Sequence, residues 1–101
     1  MQTSASLDKG HAQLRLVGRF DFNAHRDFRG AYESLMLDPE VKSLTVDFGG
    51  VDYLDSSALG MLLMLRDKAA TAKKTVSLAN AREGVKQVLD IANFGKLFQI
   101  V

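Results

Sequence analysis

Alternation of apolar and polar residues predicts that the chain begins with two strands. Apolar side chains occupy alternate positions over Ala12–Val17, which is the spacing of a half-buried β-strand. The segment Gln2–Leu7 precedes it, and the turn-forming residues Asp8, Lys9 and Gly10 separate the two. We therefore expect a hairpin at the start of the sequence.

A helix is predicted to follow a loop over Gly18–Asn23. Asn23 is a residue type that caps helices, and the apolar residues after it recur at helical spacing. Asp38 and Pro39 end this helix, because proline lacks a backbone N–H and disfavours a helical residue before it. The predicted apolar face consists of Ala24, Phe28, Ala31, Tyr32 and Leu35.

The most apolar part of the chain is a strand followed by a helix. The strand covers Leu44–Phe48, and we expect Gly49 and Gly50 to turn the chain sharply after it. The helix covers Ser57–Ala72. Four of its apolar residues lie off the stripe that faces the sheet, so neighbouring elements cover them or they form an apolar surface. The stripe consists of Ala58, Leu62, Leu65, Ala69 and Ala72, and the residues off it are Leu59, Met61, Leu63 and Met64.

The last part of the chain repeats the order of strand, helix and strand. Val76–Ala79 is the strand, Asn80 is the predicted cap of the helix, Gly95 ends that helix, and Leu97–Val101 forms a short final strand. Val85, Val88, Leu89 and Ala92 give this helix one apolar face. Strands that alternate with helices form sheets with parallel neighbours. The prediction is an α/β fold: a mixed sheet of four to five strands covered by helices, in one compact domain over residues 1–101.

Composition and charge narrow the classes of function. The 101 residues are 47% hydrophobic and 25% charged, which is typical of one folded globular domain. The absence of cysteine excludes disulfides and thiolate metal sites. A formal net charge of +1 argues against a protein that neutralises many phosphates, so we do not expect nucleic acid as a partner.

The sequence does not predict insertion into a membrane or export. Met1–His11 lacks the basic head and apolar stretch of a signal peptide. The longest apolar run, Ala58–Leu65, is much shorter than the about 20 residues that a membrane-spanning helix needs. We therefore expect a cytoplasmic protein with no direct membrane insertion.

Two adjacent serines at the start of the apolar helix are the main candidates for function. Ser56 and Ser57 follow Asp55 at a place where the first backbone N–H groups of the helix lack partners, so a serine hydroxyl can cap the helix. The same place lies after a strand, at the rim of the sheet, where another protein has access to it. From position alone, capping the helix is the favoured role of these serines, and Ser57 is the better candidate for the cap.

Catalysis by these serines is not supported. A serine hydrolase needs glycines two positions before and after its nucleophile and a base later in the chain. Leu54 and Ala58 occupy the glycine positions around Ser56, and no histidine follows it. We therefore expect no catalytic residue, no enzyme activity and no cofactor.

Metal binding and phosphorylation of an aspartate are not supported by the sequence either. His11 and His25 have no acidic or histidine partner at the spacing of metal ligands, so we expect no metal site. A receiver-like domain, which is phosphorylated on an aspartate after a parallel strand, is a second alternative, with Asp47 or Asp55 as the acceptor. Such domains pair the acceptor with an acidic cluster and a lysine, and this chain shows neither.

The serine segment resembles a known phosphorylation-site motif. Asp55–Gly60 comes after an apolar strand and opens an apolar helix, and in this setting it resembles the motif of the STAS domain family, the bacterial anti-sigma factor antagonists. Ala58 stands where the family commonly has glycine. Gly18–Asp21 is similar to the family's segment before its first helix, and Ala79–Ala81 with Val85–Asp90 resembles its last conserved strand and helix.

The resemblance implies a binding switch in bacterial signal transduction and transcription regulation. Family members bind an anti-sigma factor, often itself a serine kinase, and thereby free a sigma factor. Phosphorylation of the first serine after the aspartate, here Ser56, ends that binding, and a serine phosphatase restores it. Ser57 is the rival phosphorylation site.

The predicted partner surface surrounds the serines. A phosphoryl group beside acidic side chains would oppose docking by repulsion between like charges. Some relatives are instead unphosphorylated subunits of transporters or of lipid-trafficking ATPase complexes, and the sequence does not exclude this second function. The residues of the predicted surface are Asp21, Asp52, Asp55, Ser56, Ser57, Leu59, Met61 and Met64.

Overall fold

Strands and helices alternate along the chain in the predicted order. The computed structural model describes all residues, 1–101. Two short 3-10 turns, Phe22–Ala24 and Phe94–Lys96, lie between the main elements. The main elements are β1 (Gln2–Asp8), β2 (His11–Phe20), α1 (His25–Leu37), β3 (Ser43–Leu54), α2 (Ser56–Thr71), β4 (Thr75–Ala79), α3 (Glu83–Ile91) and β5 (Gln99–Ile100).

The five strands form one mixed sheet in the order β1-β2-β3-β4-β5. β1 pairs antiparallel with β2, and every other pair is parallel. The predicted α/β fold with a mixed sheet is therefore confirmed. One helix connects each pair of neighbouring parallel strands, and each connection leads to the next strand on the same side. Because such connections are right-handed, all three helices lie on one face of the sheet. The other face of the sheet is open.

A single hydrophobic core lies between the sheet and the helices. Alternate residues of β2 are buried, and the residues between them lie on the open face. The rings of Phe20 and Phe28 have centroids 4.8 Å apart, which joins the end of β2 to α1. Burial of this apolar surface is the main stabilising contribution to the fold. The helices contribute Phe28, Tyr32 and Met36 from α1, Ala58, Met61, Leu62, Leu65 and Ala69 from α2, and Val85 and Leu89 from α3.

Two strands are longer than predicted. β2 continues to Phe20, so the segment predicted as a loop starts with strand residues; Phe20 is fully buried, which accounts for the extension. β3 runs through Gly49 and Gly50 to Leu54, so the predicted sharp turn is wrong. A Cβ atom on Gly50 would lie 2.8 Å from the carbonyl oxygen of Leu16. Gly50 therefore allows close approach of β2 and β3.

Two predicted helix caps are also wrong. The Asn23 side chain does not cap α1: its backbone N–H donates to the Asp21 carboxylate at 3.0 Å, a 3-10 turn follows, and α1 starts at His25. Asn80 precedes α3 by three residues and has a left-handed backbone with φ of 60°. Its side chain donates to Asp47 across the sheet, so a tertiary contact takes the place of the cap.

The end of the chain differs from the prediction in its boundaries. α3 ends at Ile91, and Asn93 takes the left-handed conformation that turns the chain. Gly95 lies in the 3-10 turn that follows and does not end the helix. The last strand is reduced to Gln99–Ile100. No helix in the structure combines the length and apolar character that crossing a bilayer requires.

Candidate functional site

The corner between β3 and α2 lies at the carboxyl ends of two neighbouring strands. β3 ends at Leu54, opposite Phe20 at the end of β2. The backbone N–H of Asp55 donates to the carbonyl oxygen of Phe20 at 3.3 Å. This hydrogen bond ties the corner to β2, so the serines that follow lie at the rim of the sheet as predicted.

Asp55, and neither serine, caps α2. Its Oδ1 atom accepts a hydrogen bond from the backbone N–H of Ala58 at 3.0 Å, and its own backbone is extended. The prediction that Ser57 provides the cap is therefore wrong. Ser56 is the first residue of α2 and is exposed, and Ser57 is half-buried. Neither hydroxyl takes part in a side-chain hydrogen bond, so the Ser56 hydroxyl is accessible and has no structural contact to lose.

Asp21 lies at the same rim and organises the neighbouring turn. Its Oδ1 atom accepts from the backbone N–H of Asn23, and its Oδ2 atom lies 3.5 Å from Nε of Arg19. α2 contacts the Phe22–Ala24 turn that Asp21 caps, and Phe20, the residue before Asp21, accepts the backbone hydrogen bond from Asp55. Asp21 and Ser56 are therefore brought to one region of the surface, with the Asp21 charge partly neutralised by Arg19.

A bulge in β3 exposes the third predicted carboxylate. Pairing with β2 passes from Val51 to Tyr53, so Asp52 has no partner in β2 and its side chain is exposed. The ring of Tyr53 lies under the Arg19 guanidinium, 4.1 Å from the ring centroid, which is a cation–π contact. Asp52 thus adds negative charge near the end of β3.

Two exposed aromatic side chains at this rim were not predicted from the sequence. Phe22 is 72% exposed, and Tyr53 is 42% exposed. Phe22 stands between Asp21 and Asn23, and a large apolar residue between two polar residues in a predicted loop is the signal that could have identified it. Phenylalanine and tyrosine are both enriched at the centres of protein–protein interfaces.

The apolar residues of α2 divide into core and surface. Met61 is only 5% exposed and belongs to the core, so it is not available as a surface contact. Leu59 is half-buried and packs against the core. Met64 is 47% exposed and lies about 12 Å along the helix from Ser56, given a rise of about 1.5 Å per residue. It lines a groove between α1 and α2, together with Tyr32 and Leu37.

Neither histidine forms an ion pair with a carboxylate. The ring nitrogens of His11 contact the hydroxyls of Ser43 and Thr45 on the open face, at the opposite end of β2 from Phe20. His25 is the exposed first residue of α1. No three histidine, aspartate or glutamate side chains come together in an arrangement that could hold a metal ion.

Asp47 has a structural role that the sequence did not reveal. Its side chain is buried, with Oδ1 accepting from the Gly49 backbone N–H at 2.8 Å and from Nδ2 of Asn80 at 3.2 Å. Oδ2 accepts from Nε2 of Gln13 at 3.2 Å, and Arg15 lies 3.8 Å away. These contacts join β2, β3 and the end of β4 and engage both carboxylate oxygens.

Comparisons with known proteins cover nearly the whole chain. The family model described as "Mlab, STAS domain" matches residues 3–101. A STAS-domain containing protein of Pseudomonas aeruginosa (strain UCBPP-PA14) is 47% identical over 95 residues, which is 94% of this chain and 92% of that protein.

Two solved proteins show the same fold at low sequence identity. The anti-sigma factor antagonist SpoIIAA in its unphosphorylated form has a TM-score of 0.82 and 18% identity, over 99% of this chain and 88% of that one. The phosphorylated form of SpoIIAA, from Bacillus, has a TM-score of 0.74 and 17% identity, and the match covers 99% of this chain and 91% of that one. The STAS domain of a SulP transporter from Vibrio cholerae has a TM-score of 0.68 and 21% identity, and the match covers 91% of this chain and 70% of that one.

Proposed function

Because the chain belongs to the STAS domain family, we propose that it is a binding switch controlled by phosphorylation of Ser56. Unphosphorylated, it binds an anti-sigma factor or a related serine kinase or regulator, and so frees a sigma factor or another effector. Phosphorylation of Ser56 ends that binding, and a serine phosphatase restores it. The protein acts in the bacterial cytoplasm and has no catalytic activity of its own.

The position of the Ser56 hydroxyl carries this proposal. It is exposed at the first residue of a 16-residue helix, while Asp55 makes the capping hydrogen bond. A kinase therefore has access to it, and modification removes no contact that holds the corner together. Ser57 is half-buried, which makes it the weaker candidate.

The charge around Ser56 explains how a phosphoryl group would act. It adds about −1.5 to −2 charges, which unpaired N–H groups in the first turn of a helix stabilise. The domain then keeps its fold. Asp55 and Asp21 lie at the same rim, so a partner docked there would have to desolvate several negative charges at once. We expect lost binding rather than a changed structure.

The existence of SpoIIAA in phosphorylated and unphosphorylated forms supports a phosphorylated state for this fold.

The transporter STAS domain supports a second candidate function, in which the protein is an unphosphorylated subunit of a transporter or lipid-trafficking ATPase complex. In that case Ser56 contacts the partner directly, and phosphate plays no part.

Affinity purification from the native cell distinguishes the two candidates. Wild type, Ser56→Ala, Ser56→Asp and the neighbouring control Ser57→Asp are compared, with partners identified by mass spectrometry and phosphate located by peptide mapping. The switch predicts phosphate on Ser56 and a signalling partner that Ser56→Ala retains and Ser56→Asp loses by more than about tenfold. Circular dichroism confirms that each variant is folded. Unmodified Ser56 together with an ATPase or transporter partner supports the second candidate and rejects the switch.

A further inference from the structure

β1 leaves one edge of the sheet unpaired over its full length. Its seven residues pair with β2 on one side only, and β1 is the outermost strand. Every residue from Gln2 to Asp8 is exposed, including Leu7 at 41%. At about 3.4 Å per residue this edge presents a row of backbone N–H and C=O groups about 24 Å long.

This edge lacks the features that usually prevent strands from pairing across molecules. Proteins protect edge strands with charges, proline, bulges or very short length. Gln2–Leu7 contains no charged residue and no proline, and its register with β2 is unbroken. The opposite edge, β5, has only two residues. One edge of the same sheet is therefore protected by its length, and the other is open to a further strand.

The sequence of β1 is compatible with pairing to its own copy. In an antiparallel pair centred on Ala5, the two-fold axis places Ser4 opposite Ser6 and Thr3 opposite Leu7 of the second copy. Asp8, the only charged residue of the strand, then lies opposite Gln2 and not opposite another Asp8. We infer that two copies of this chain associate through β1, which joins their sheets into one continuous sheet about a two-fold axis.

The two faces of such a pair match in chemistry. Ala5 lies opposite Leu14 of β2, so Thr3, Ala5 and Leu7 project to the face that carries the helices. Leu7 would lose exposed apolar surface against Thr3 of the second copy on that face. Ser4 and Ser6 lie opposite Arg15 and Gln13, on the open face, where their hydroxyls can bond across the axis. Within the paired strands, no two like charges lie opposite each other.

Association through β1 leaves the rim around Ser56 free. Gln2 pairs with Val17, and β2 continues for three residues to Phe20 before the corner at Asp55 is reached. The inference therefore does not depend on the proposed switch. A pair would carry two separate partner surfaces.

Sedimentation of the purified protein over a range of concentrations tests the inference. A pair of seven-residue strands buries less area than the about 1,200 Å² at the low end of stable interfaces, so we expect a reversible dimer. The weight-average mass should rise from 11.1 kDa towards twice that value. Ala5→Lys, which places two ammonium groups opposite each other at the axis, should abolish the rise, and the exposed control Gln87→Lys on α3 should not.

Single-cysteine variants test the register, because the chain contains no cysteine of its own. Directly opposed residues in antiparallel strands have Cα atoms about 4.5 to 5.5 Å apart, which is within disulfide range. Ala5→Cys should therefore crosslink with itself under mild oxidation. Ser4→Cys should crosslink efficiently only when mixed with Ser6→Cys, and Gln87→Cys should not crosslink.

Three results would overturn the inference. One is a mass that stays at 11.1 kDa at every concentration, even though circular dichroism shows folded protein. Another is a dimer that persists in Ala5→Lys. The third is equal crosslinking at residues 5 and 87, which would assign the crosslinks to random collision.

Discussion

The carboxylate of Asp55 accepts a hydrogen bond from the backbone N–H of Ala58 at 3.0 Å, and this contact starts α2. Because Asp55 caps the helix, the hydroxyl of Ser56, the first residue of α2, is not needed as a cap and is exposed. The structural role and the proposed regulatory role at this corner therefore belong to neighbouring residues. Substitutions can separate them.

We predict that Asp55→Ala destabilises the protein by about 1 kcal/mol, because it removes the helix cap. Ser56→Ala should change the free energy of unfolding by less than about 0.5 kcal/mol, because the Ser56 side chain has no hydrogen bond to lose. Urea denaturation measures both. Asp55→Asn, which can still accept from Ala58, is the control and should stay close to wild type. A larger loss in Ser56→Ala than in Asp55→Ala would contradict this assignment.

Lys74, in the turn between α2 and β4, holds the end of α1. Its Nζ atom donates to the carbonyl oxygens of Leu35, Met36 and Asp38 at 3.1, 2.8 and 2.7 Å. We predict that Lys74→Met lowers the free energy of unfolding by about 1.5 to 3 kcal/mol, the range for hydrogen bonds to a charged group. Lys73→Met, at an exposed neighbour, is the control and should have little effect. Similar urea midpoints for the two variants would show that these three contacts contribute nothing.

Asp47 joins three strands through both of its oxygens. We predict that Asp47→Ala destabilises the protein by about 2 to 4 kcal/mol, because the donors from Gly49, Asn80 and Gln13 lose their acceptor in a partly buried site. Asn80→Gly removes one donor, keeps a residue suited to the left-handed backbone, and should cost less. Thermal and urea unfolding measure the difference. An Asp47→Ala protein no less stable than Asn80→Gly would contradict the prediction.

The pair formed by Arg29 and Glu33 gives stability a small dependence on acid pH. Nε of Arg29 donates to Glu33 at 2.8 Å, and this hydrogen bond, with the positive charges of Arg29 and Lys68, holds the pKa of the Glu33 carboxyl below its ordinary value of 4.5. A carboxyl whose pKa is lower in the folded state contributes stability above its unfolded pKa, and the contribution is lost as pH falls through the folded value.

We therefore predict that Glu33→Gln is less stable than wild type near neutral pH, and that the difference in stability disappears as the pH falls below the lowered pKa of Glu33 in the folded protein. Urea midpoints measured across this range check the prediction. Added salt should reduce the difference at neutral pH, because the pair is at the surface. A difference that is the same at both ends of the pH range would mean that the charge of Glu33 is not its source.

The order of elements followed from the sequence because it depends on local periodicity. The alternation over Ala12–Val17 and the helical spacing from Ala58 to Ala69 each reflect one buried face, and the structure buries those faces. The Gly49–Gly50 pair shows where local signals fail. Two adjacent glycines suggest a turn, but pairing with β2 keeps them in the strand and uses the missing side chain of Gly50 for close approach.

The cap of α2 could not be predicted, because a long-range contact selects one of three adjacent residues, Asp55, Ser56 and Ser57, that are all able to cap. Asp55 is held in an extended conformation by the hydrogen bond from its N–H to Phe20, which is distant in the sequence, and an extended backbone is what an N-cap needs. Ser57 is thereby placed inside the helix. Asn80 and Asp47 likewise meet only when β3 and β4 pair.

The exposure of Phe22 leads to a prediction about partner binding. Phe22 is 72% exposed in the turn that contacts α2, so Phe22→Ser should weaken binding of the partner by at least about tenfold. The free energy of unfolding of Phe22→Ser should stay within about 0.5 kcal/mol of wild type, because little of the Phe22 side chain is buried. Leu37→Ser removes a similarly exposed apolar side chain at the far end of α1 and is the matched control. Titration calorimetry with the partner purified from the native cell measures all three proteins. Equal affinities for the two variants would mean that the docking surface does not include Phe22.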